Sequence, residues 1–452
     1  MLIFDTICAL STAPYKSALA TVRLSGDKTL DILSHIIRKD VSEILPNHAY
    51  FVKVYKDKNI IDNPIDECVI TFYKGPKSYT GFDSVDFSTH GSMFVVDELM
   101  ETLIHYGARR AEKGEFSAQA YYNGKMDLLK AEGINDLINS TSRRAKEIAT
   151  KTLSGNNTKI VEGIKNTFLG YLAQLEYFVE NQYSETENDD YDEVLISIAK
   201  KLNKDIADIS DILKKTKKAN KEYQGFQICI AGEPNVGKST LLNAILGEDK
   251  AIVSPIPGTT RDVVEGEKEI NGILFRFKDT AGLRETDDYV ENLGIQRSYK
   301  TMESSDLILL CSDTGFKEID QDIKIQSLLK DKKVIKIATK KDLGNQNDDA
   351  DISICSLSDD INPLIDKIFS LLDLNKKEES AFLGQREEDY LAKIMEQAIR
   401  ARDAIIDTMQ VDIASDTMRV IISLINDMMG KHETQTMEDI YQTLFSKFCL
   451  GK

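Results

Sequence analysis

No two cysteines in this chain stand close enough to form a C-x-x-C pair. The six (Cys8, Cys68, Cys229, Cys311, Cys355 and Cys449) are scattered. Neither a zinc site nor a disulfide framework follows, and reduced thiols in an intracellular protein are expected. Long apolar runs are missing too. None approaches the roughly 18 residues of a membrane span, and Asp5 interrupts an apolar start too short for a secretion-signal core. The expectation is a soluble, cytoplasmic protein with no membrane partner. Positive charge is in deficit: 57 Lys and Arg face 74 Asp and Glu, a net charge of −17. That balance excludes nucleic-acid binding through bulk charge and leaves only a local basic patch for it. Internal repeats and low-complexity tracts are absent. What remains is ordinary globular composition, 42% hydrophobic and 29% charged over 452 residues, enough for about two to four domains.

Three textures follow one another. Residues 1–122 mix short apolar runs (residues 20–24 and 68–72) with turn signals at residues 25–27, 74–76 and 80–81, the pattern of an α+β domain. In residues 123–220 Gly and Pro are scarce and apolar residues recur at helical spacing, as in Leu128, Ile134, Leu137 and Ile138, or Leu169, Leu172, Leu175 and Phe178. The acidic segment 185–193 reads as a solvated loop interrupting these helices. Lys214-Lys-Thr-Lys-Lys218 reads as a charged helix end before a domain boundary, with a phosphate-contacting patch as its alternative. Residues 221–375 alternate strands and helices, with buried-strand runs at 226–231, 307–310 and 334–338. Residues 376–452 return to helix, one from Tyr390 through Leu424 and another beginning near Thr436, where Thr436 and Asp439 suggest a capping box. The simplest architecture is multidomain: an N-terminal α+β domain, a helical domain in two parts, and an α/β domain inserted between those parts.

Gly232-Glu-Pro-Asn-Val-Gly-Lys-Ser239 fits G-x-x-x-x-G-K-[ST] directly after a strand and before an apolar helix. Such a loop holds phosphate oxygens on backbone N–H groups and a helix N-terminus. Lys238 adds a point charge for the β- and γ-phosphates, and the Ser239 hydroxyl is placed for Mg²⁺. Gly258-Thr-Thr-Arg-Asp262 follows, with Thr260 completing the metal shell only when a γ-phosphate is present. Asp279-Thr-Ala-Gly282 comes after a strand over residues 274–277 and sets a carboxylate near the metal and a Gly N–H near the γ-phosphate. Thr339-Lys340-Lys-Asp342 follows another strand and reads as a guanine clamp, with Thr where Asn is commoner. Asp342 accepts from guanine's N1–H and 2-amino group, donors that adenine lacks. Ser356 and Leu357 form a weaker match to the last guanine loop. Order and context together imply a Ras-like domain that binds and hydrolyses GTP. Its nucleotide-contacting set is Asn235, Val236, Gly237, Lys238, Ser239, Thr240, Ser254, Gly258, Thr259, Thr260, Asp279, Gly282, Thr339, Lys340, Asp342, Ser356 and Leu357.

Catalysis departs from the Ras pattern. The position that carries a water-orienting Gln in Ras-like enzymes is here Leu283, so the task passes to one of Arg284, Glu285, Asp287, Asp288 and Glu291. No arginine finger is evident. Asn235 offers an amide oxygen to a monovalent cation beside the phosphates, where potassium supplies a finger's charge. The alternative for Asn235 is a turn-stabilising residue.

With these motifs in hand, the chain resembles the bacterial tRNA modification GTPase MnmE (TrmE) family over nearly its whole length. Phe448-Cys-Leu-Gly-Lys452 is similar to that family's terminal Cys-x-Gly-Lys signature. Asp5-Thr-Ile, Val22-Arg-Leu-Ser-Gly26, Ser78-Tyr-Thr-Gly81, Gly114-Glu-Phe-Ser117 and Asn123-Gly-Lys-Met-Asp127 resemble its N-terminal part. Asp279-Thr-Ala-Gly-Leu-Arg-Glu285 and Leu293-Gly-Ile295 resemble its second switch. The resemblance implies a homodimer that joins an FAD-dependent partner, MnmG (GidA), in a heterotetramer-type complex. Together they would add a carboxymethylaminomethyl-type group to C5 of the wobble uridine of certain tRNAs. The one-carbon unit would come from 5,10-methylenetetrahydrofolate bound in an N-terminal folate-binding and dimerisation domain, and the amine from glycine or ammonium.

The resemblance also assigns residues. It implies folate contacts from Arg23, Asp86, Lys125 and Lys452, with Asp86 one methylene shorter than the family's Glu. Potassium ligands would be Asn235, Ser254, Ile256 (through its backbone oxygen) and Thr259, and Mg²⁺ ligands Ser239 and Thr260. Glu291 falls on the family's water-activating carboxylate. Tyr15-Lys-Ser-Ala18 departs from a Gly-rich stretch of the family. Cys449 has no neighbouring His or base, so a buried structural thiol stands beside a catalytic reading. Two rival functions remain: an Era-like regulatory or ribosome-assembly switch, which would carry an RNA-binding domain after the G domain, and a folate-dependent aminomethyltransferase that carries a G domain. The −17 charge places much of the tRNA-contacting surface on the partner.

Overall fold

The computed structural model describes every residue except 1–4, 60–62, 182–188, 248–265, 280–297, 317–322, 341–348, 356–359, 376–382, 432–444, 450 and 452. The chain separates into two compact units. One comprises residues 1–138, 152–209 and 389–452, the other residues 139–151 and 210–388.

The first unit is built around a six-stranded sheet of β1 (Ile7–Leu10), β2 (Leu19–Ser25), β3 (Ala49–Val54), β4 (Asp66–Tyr73), β5 (Ser84–His90) and β6 (Arg109–Arg110). The strand order is β3-β4-β5-β2-β1-β6, antiparallel throughout except for the parallel β1–β6 pair. Alternation along the strands decides what faces the core. Ala20, Val22 and Leu24 are buried with Ile70 and Phe87, beneath α1 (Thr29–Ile36) and α2 (Met93–His105), which contribute Ile32, Leu33, Leu99 and Leu103. Thr21 and Arg23 point to the other face, and the β2–β5 register sets Arg23 opposite Asp86.

Helices follow: α3 (Glu115–Tyr122), α4 (Leu128–Asn139), α5 (Arg143–Leu153), α6 (Asn156–Asn181) and α7 (Asp189–Gln224). Asp189 to Glu193, read from sequence as part of an acidic loop, belong to α7; the rest of that segment's acidic residues lie outside the described residues. The lysine run 214–218 sits inside α7, with Lys215 paired to Asp211 and Lys218 to Asp373. The helix stops at Gly225, whose φ of +81° suits glycine alone.

The second unit holds β7 (Phe226–Gly232), β8 (Gly266–Ile270), β9 (Ile273–Asp279), β10 (Leu307–Ser312), β11 (Lys333–Ala338) and β12 (Ile352–Ser353), ordered β12-β11-β10-β7-β9-β8. All pairs are parallel except the β8–β9 hairpin. Helices α8 (Lys238–Leu246), α9 (Ile323–Leu329) and α10 (Asn362–Leu371) accompany them. Both sheet faces are covered: Ile228 and Ile230 pack with Leu241, Ile245 and Leu364, while Cys229 and Ala231 pack with Met302, Phe316 and Ile325. Two-sided burial is why β7 and β10 read as continuous apolar runs.

Beyond these come α11 (Gln385–Thr408) and α12 (Val411–Met428). The sequence reads one helix from Tyr390 through Leu424, and the structure breaks it at Met409, which takes φ +50°. A left-handed residue ends a helix whatever its propensity, and the Gln410 N–H then closes the turn on the Ala404 carbonyl. The helix expected near Thr436 lies outside the described residues. In the first unit the C-terminal segment returns to α3: Phe445 and Phe448 are buried against Ala118, Leu128 and Ala131. The Gly114 N–H donates to the Cys449 carbonyl at 3.2 Å, and the Ser11 hydroxyl to the Gly451 carbonyl at 3.1 Å.

Candidate nucleotide site

The site forms where the central strand β7 runs out. Gly232, its last residue, has φ +150°, and a Cβ there would lie 2.2 Å from the Cys311 carbonyl oxygen on β10. Only glycine permits that approach. The chain then turns through Asn235, itself left-handed at φ +62°, and Gly237 at φ +100° before entering α8. Asn235 therefore has the turn role that its residue type suggests, with its side chain exposed. Val236 is buried beneath the loop, while Ser239 and Thr240 are exposed on the first turn of α8. Backbone donors at such a helix start are unpaired by the helix itself, which makes it a position suited to phosphate.

Lys238 is buried, and its Nζ donates to the carbonyls of Gly232 (3.3 Å) and Glu233 (2.8 Å). The cation thus spans its own loop. The Ser239 hydroxyl donates to Asp279 Oδ2 at 2.8 Å, because β9 pairs with β7 in a register that sets Asp279 beside Ile230. The other carboxylate oxygen, Asp279 Oδ1, is buried and has no hydrogen-bond partner among the described residues. An orphaned carboxylate oxygen beside an exposed hydroxyl is the donor set of a hard divalent cation. Mg²⁺ fits this donor set, the Ser239 hydroxyl and the Asp279 carboxylate.

The loop after β11 closes the far side. The Thr339 N–H donates to the Ser312 carbonyl at 3.0 Å, and its buried hydroxyl donates to the Val236 carbonyl. Lys340, left-handed at φ +55°, pairs its Nζ with Asp313 Oδ2 at 2.6 Å. The sequence reading missed Asp313; its signal was a carboxylate one residue past the buried strand β10. Thr339, Lys340, Val236, Gly237, Lys238, Ser239 and Asp279 are thereby gathered at the carboxyl ends of parallel strands, where open α/β sheets bind ligands. Ser254, Ile256, Gly258, Thr259, Thr260, Gly282, Glu291, Asp342, Ser356 and Leu357 lie outside the described residues.

In the first unit the residues read as folate contacts are partly brought together. Arg23 and Asp86 form a two-pronged ion pair, Nε to Oδ1 at 2.8 Å and an Nη to Oδ2 at 3.0 Å. The guanidinium lies 5.7 Å from the Tyr79 ring centroid and 5.9 Å from that of Phe116. Lys125 instead donates to the Pro76 carbonyl at 2.6 Å, and Lys452 lies outside the described residues. Around this pair the structure adds residues that the sequence reading left unassigned. The Ser25, Thr80 and Ser84 hydroxyls bond one another, and the Tyr79 hydroxyl lies 2.9 Å from Ser117 Oγ. The signal for Tyr79, Thr80 and Ser117 was the pair of motifs Ser78-Tyr-Thr-Gly81 and Gly114-Glu-Phe-Ser117, and for Ser25 the motif Val22-Arg-Leu-Ser-Gly26.

Comparison with known proteins identifies two family domains in the chain. Residues 6–125 match the family model "GTP-binding protein TrmE N-terminus", and residues 227–340 match "50S ribosome-binding GTPase". The tRNA modification GTPase MnmE of Pseudothermotoga lettingae is 35% identical over 99% of this chain and 100% of its own length. That of Clostridioides difficile is 34% identical over the full length of both. The chain belongs to the tRNA modification GTPase MnmE family. Among solved structures, Era of Aquifex aeolicus bound to GDP and aluminium fluoride is 28% identical, covering 40% of this chain and 67% of that one, with a TM-score of 0.26. An N-terminal TrmE domain, a helical region and a P-loop GTPase domain share one chain. It is a GTP hydrolase. Among the described residues, no helix is long and apolar enough to cross a membrane.

Proposed function

We propose that this chain is a potassium-stimulated GTPase that acts with an FAD-dependent partner of the MnmG (GidA) kind to modify C5 of the wobble uridine of certain tRNAs. The observation that supports this reading best is the match over 99% of the chain to MnmE of Pseudothermotoga lettingae, which spans the N-terminal domain, helices and G domain together. An Era-like switch would share only the last of these. Domain limits are proposed at residues 1–122, 123–220, 221–375 and 376–452, in a cytoplasmic homodimer.

In the G domain, Lys238 leaves its loop carbonyls for the β- and γ-phosphates, exchanging two neutral acceptors for charged ones. Ser239 and Thr260 hold Mg²⁺, which neutralises phosphate charge when bound. Asn235, Ser254, Ile256 and Thr259 surround potassium. Asp342 reads guanine, and Glu291 orients the attacking water. In the N-terminal domain, Arg23, Asp86, Lys125 and Lys452 hold 5,10-methylenetetrahydrofolate, whose glutamyl tail is anionic and whose pterin ring carries donors for a carboxylate. The Arg23–Asp86 pair supports that placement, since each group orients the other in a half-buried wall. The test is nucleoside analysis of tRNA from cells lacking the chain. Loss of the C5-modified wobble uridine is expected, and an unchanged nucleoside profile overturns the reading.

A further inference from the structure

Residues 123–127 join α3 to α4, and the end of α12 packs against that connection. Gly430 takes φ +76°, and a Cβ there would meet the Tyr121 hydroxyl at 2.6 Å; that hydroxyl donates to the Gly430 carbonyl. Between these segments lies a cleft of about 550 Å³ carrying Lys125, Lys130 and Lys431, with the rings of Tyr121 and Tyr122 beside them. Tyr122 is 44% exposed. Among the described residues that line the cleft the one carboxylate is Asp127, and it is already committed: Oδ1 accepts from the Lys130 N–H at 2.8 Å and Oδ2 from the Thr158 hydroxyl at 2.7 Å. Among the described residues, no carboxylate is paired with any of the three lysines.

In a chain of net charge −17, this concentration of cations runs against the general trend. Cations alone would suit any polyanion. Tyr121 packs against Phe445, and Tyr122 is the exposed ring; cations beside such a ring suit single-stranded RNA, whose phosphates take the lysines and whose unstacked bases take the ring. A polyglutamate tail has no face to stack on Tyr122, and a duplex keeps its bases stacked inside. We propose that this cleft binds the single-stranded anticodon loop of the tRNA substrate. The inference rests on the tRNA-modification reading given above and adds to it a docking place on this chain rather than on the partner.

The test uses the intact chain and a fluorescent RNA hairpin with the anticodon-loop sequence, titrated at several salt concentrations. Lys130 and Lys431 are exposed and lie outside the nucleotide and folate sets, so they are the residues to change. In the double variant Lys130→Glu, Lys431→Glu, hairpin affinity is expected to fall about tenfold or more, the equivalent of losing two charge-assisted contacts. The dependence of log affinity on log salt is expected to flatten by about 1.4, two phosphates at about 0.7 each. Lys→Arg at both positions is expected to restore binding, Tyr122→Leu to weaken it, and GTP turnover without RNA to stay at the wild-type rate. Hairpin affinity within about twofold of wild type in the double variant overturns the proposal. So does a Tyr122→Leu variant that binds normally, or a blunt RNA duplex that binds wild type as tightly as the hairpin. The two readings separate cleanly. Normal wobble uridines in cells lacking the chain refute tRNA modification, whereas lost modification with an unaffected double variant refutes only the cleft.

Discussion

The Thr339 hydroxyl donates to the Val236 carbonyl, joining the loop after β11 to the loop after β7 across 103 residues of sequence. Both partners are buried, Thr339 at 1% and Val236 at 2% exposure, so water cannot replace the bond. Thr stands where Asn is commoner, yet the hydroxyl still reaches a phosphate-loop carbonyl. Thr339→Val keeps the shape and removes the donor, at a cost of about 1–3 kcal/mol for the unpaired carbonyl. GTP affinity is expected to fall on the order of tenfold, measured by nucleotide titration, with Thr339→Asn retaining most of it. Equal affinity in Thr339→Val would show that the loops hold their geometry without this bond.

Guanine selection is expected to follow Asp342, on the motif alone. Asp342→Asn sets a donor against guanine's 2-amino group. GTP affinity should drop and xanthosine triphosphate should be relatively favoured. Competition between the two nucleotides decides it, and unchanged GTP preference removes Asp342 from the site.

Potassium is expected to accelerate hydrolysis, with sodium a poor substitute, because Asn235 stands exposed on the phosphate loop and no arginine finger is evident. Turnover measured in the two chlorides at matched ionic strength is the check. Identical rates count against a cation at Asn235, and Asn235→Ala should reduce the potassium stimulation selectively.

Glu291→Ala is expected to lower kcat by about 10²–10⁴, the range for positioned acid–base groups, with nucleotide affinity nearly intact. Leu283 cannot orient water, so the role must lie elsewhere in the acidic stretch. Single-turnover hydrolysis in saturating potassium measures it. A variant within about threefold of wild type, far short of that range, hands the role to Glu285 or to backbone groups.

The thiols should differ sharply in reactivity. Burial pushes Cys8, Cys68, Cys229 and Cys311 up to about 12, so their thiolates are scarce near neutral pH and grow only as the solution becomes strongly alkaline. Cys449 is partly exposed. Brief alkylation of the native chain near neutral pH, read by peptide mass spectrometry, is expected to mark Cys449 first. Rapid labelling of Cys229 or Cys311 in the native chain would contradict the packed sheet.

The sequence alone determined the phosphate loop, and it did so because that chemistry is local. Gly232, Asn235, Gly237, Lys238 and Ser239 lie within one short stretch between a strand and a helix; the left-handed or close-packed backbone asks for Gly232, Asn235 and Gly237, and phosphate and metal chemistry for Lys238 and Ser239. Buried strands were legible for a similar reason, since two-sided burial leaves a continuous apolar run. Tertiary structure decided what depends on distant residues meeting. Nothing in the local pattern of Thr339 names Val236 as its acceptor, and strand register alone sets Arg23 against Asp86. The helix break at Met409 carries no Gly or Pro signal, and its left-handed turn is closed by the Gln410–Ala404 bond. The cleft of Lys125, Lys130 and Lys431 is the fullest case. Its cations are a few residues apart on one side and some 300 residues away on the other, and only the docking of α12 against the α3–α4 connection turns scattered surface lysines into one concave charge.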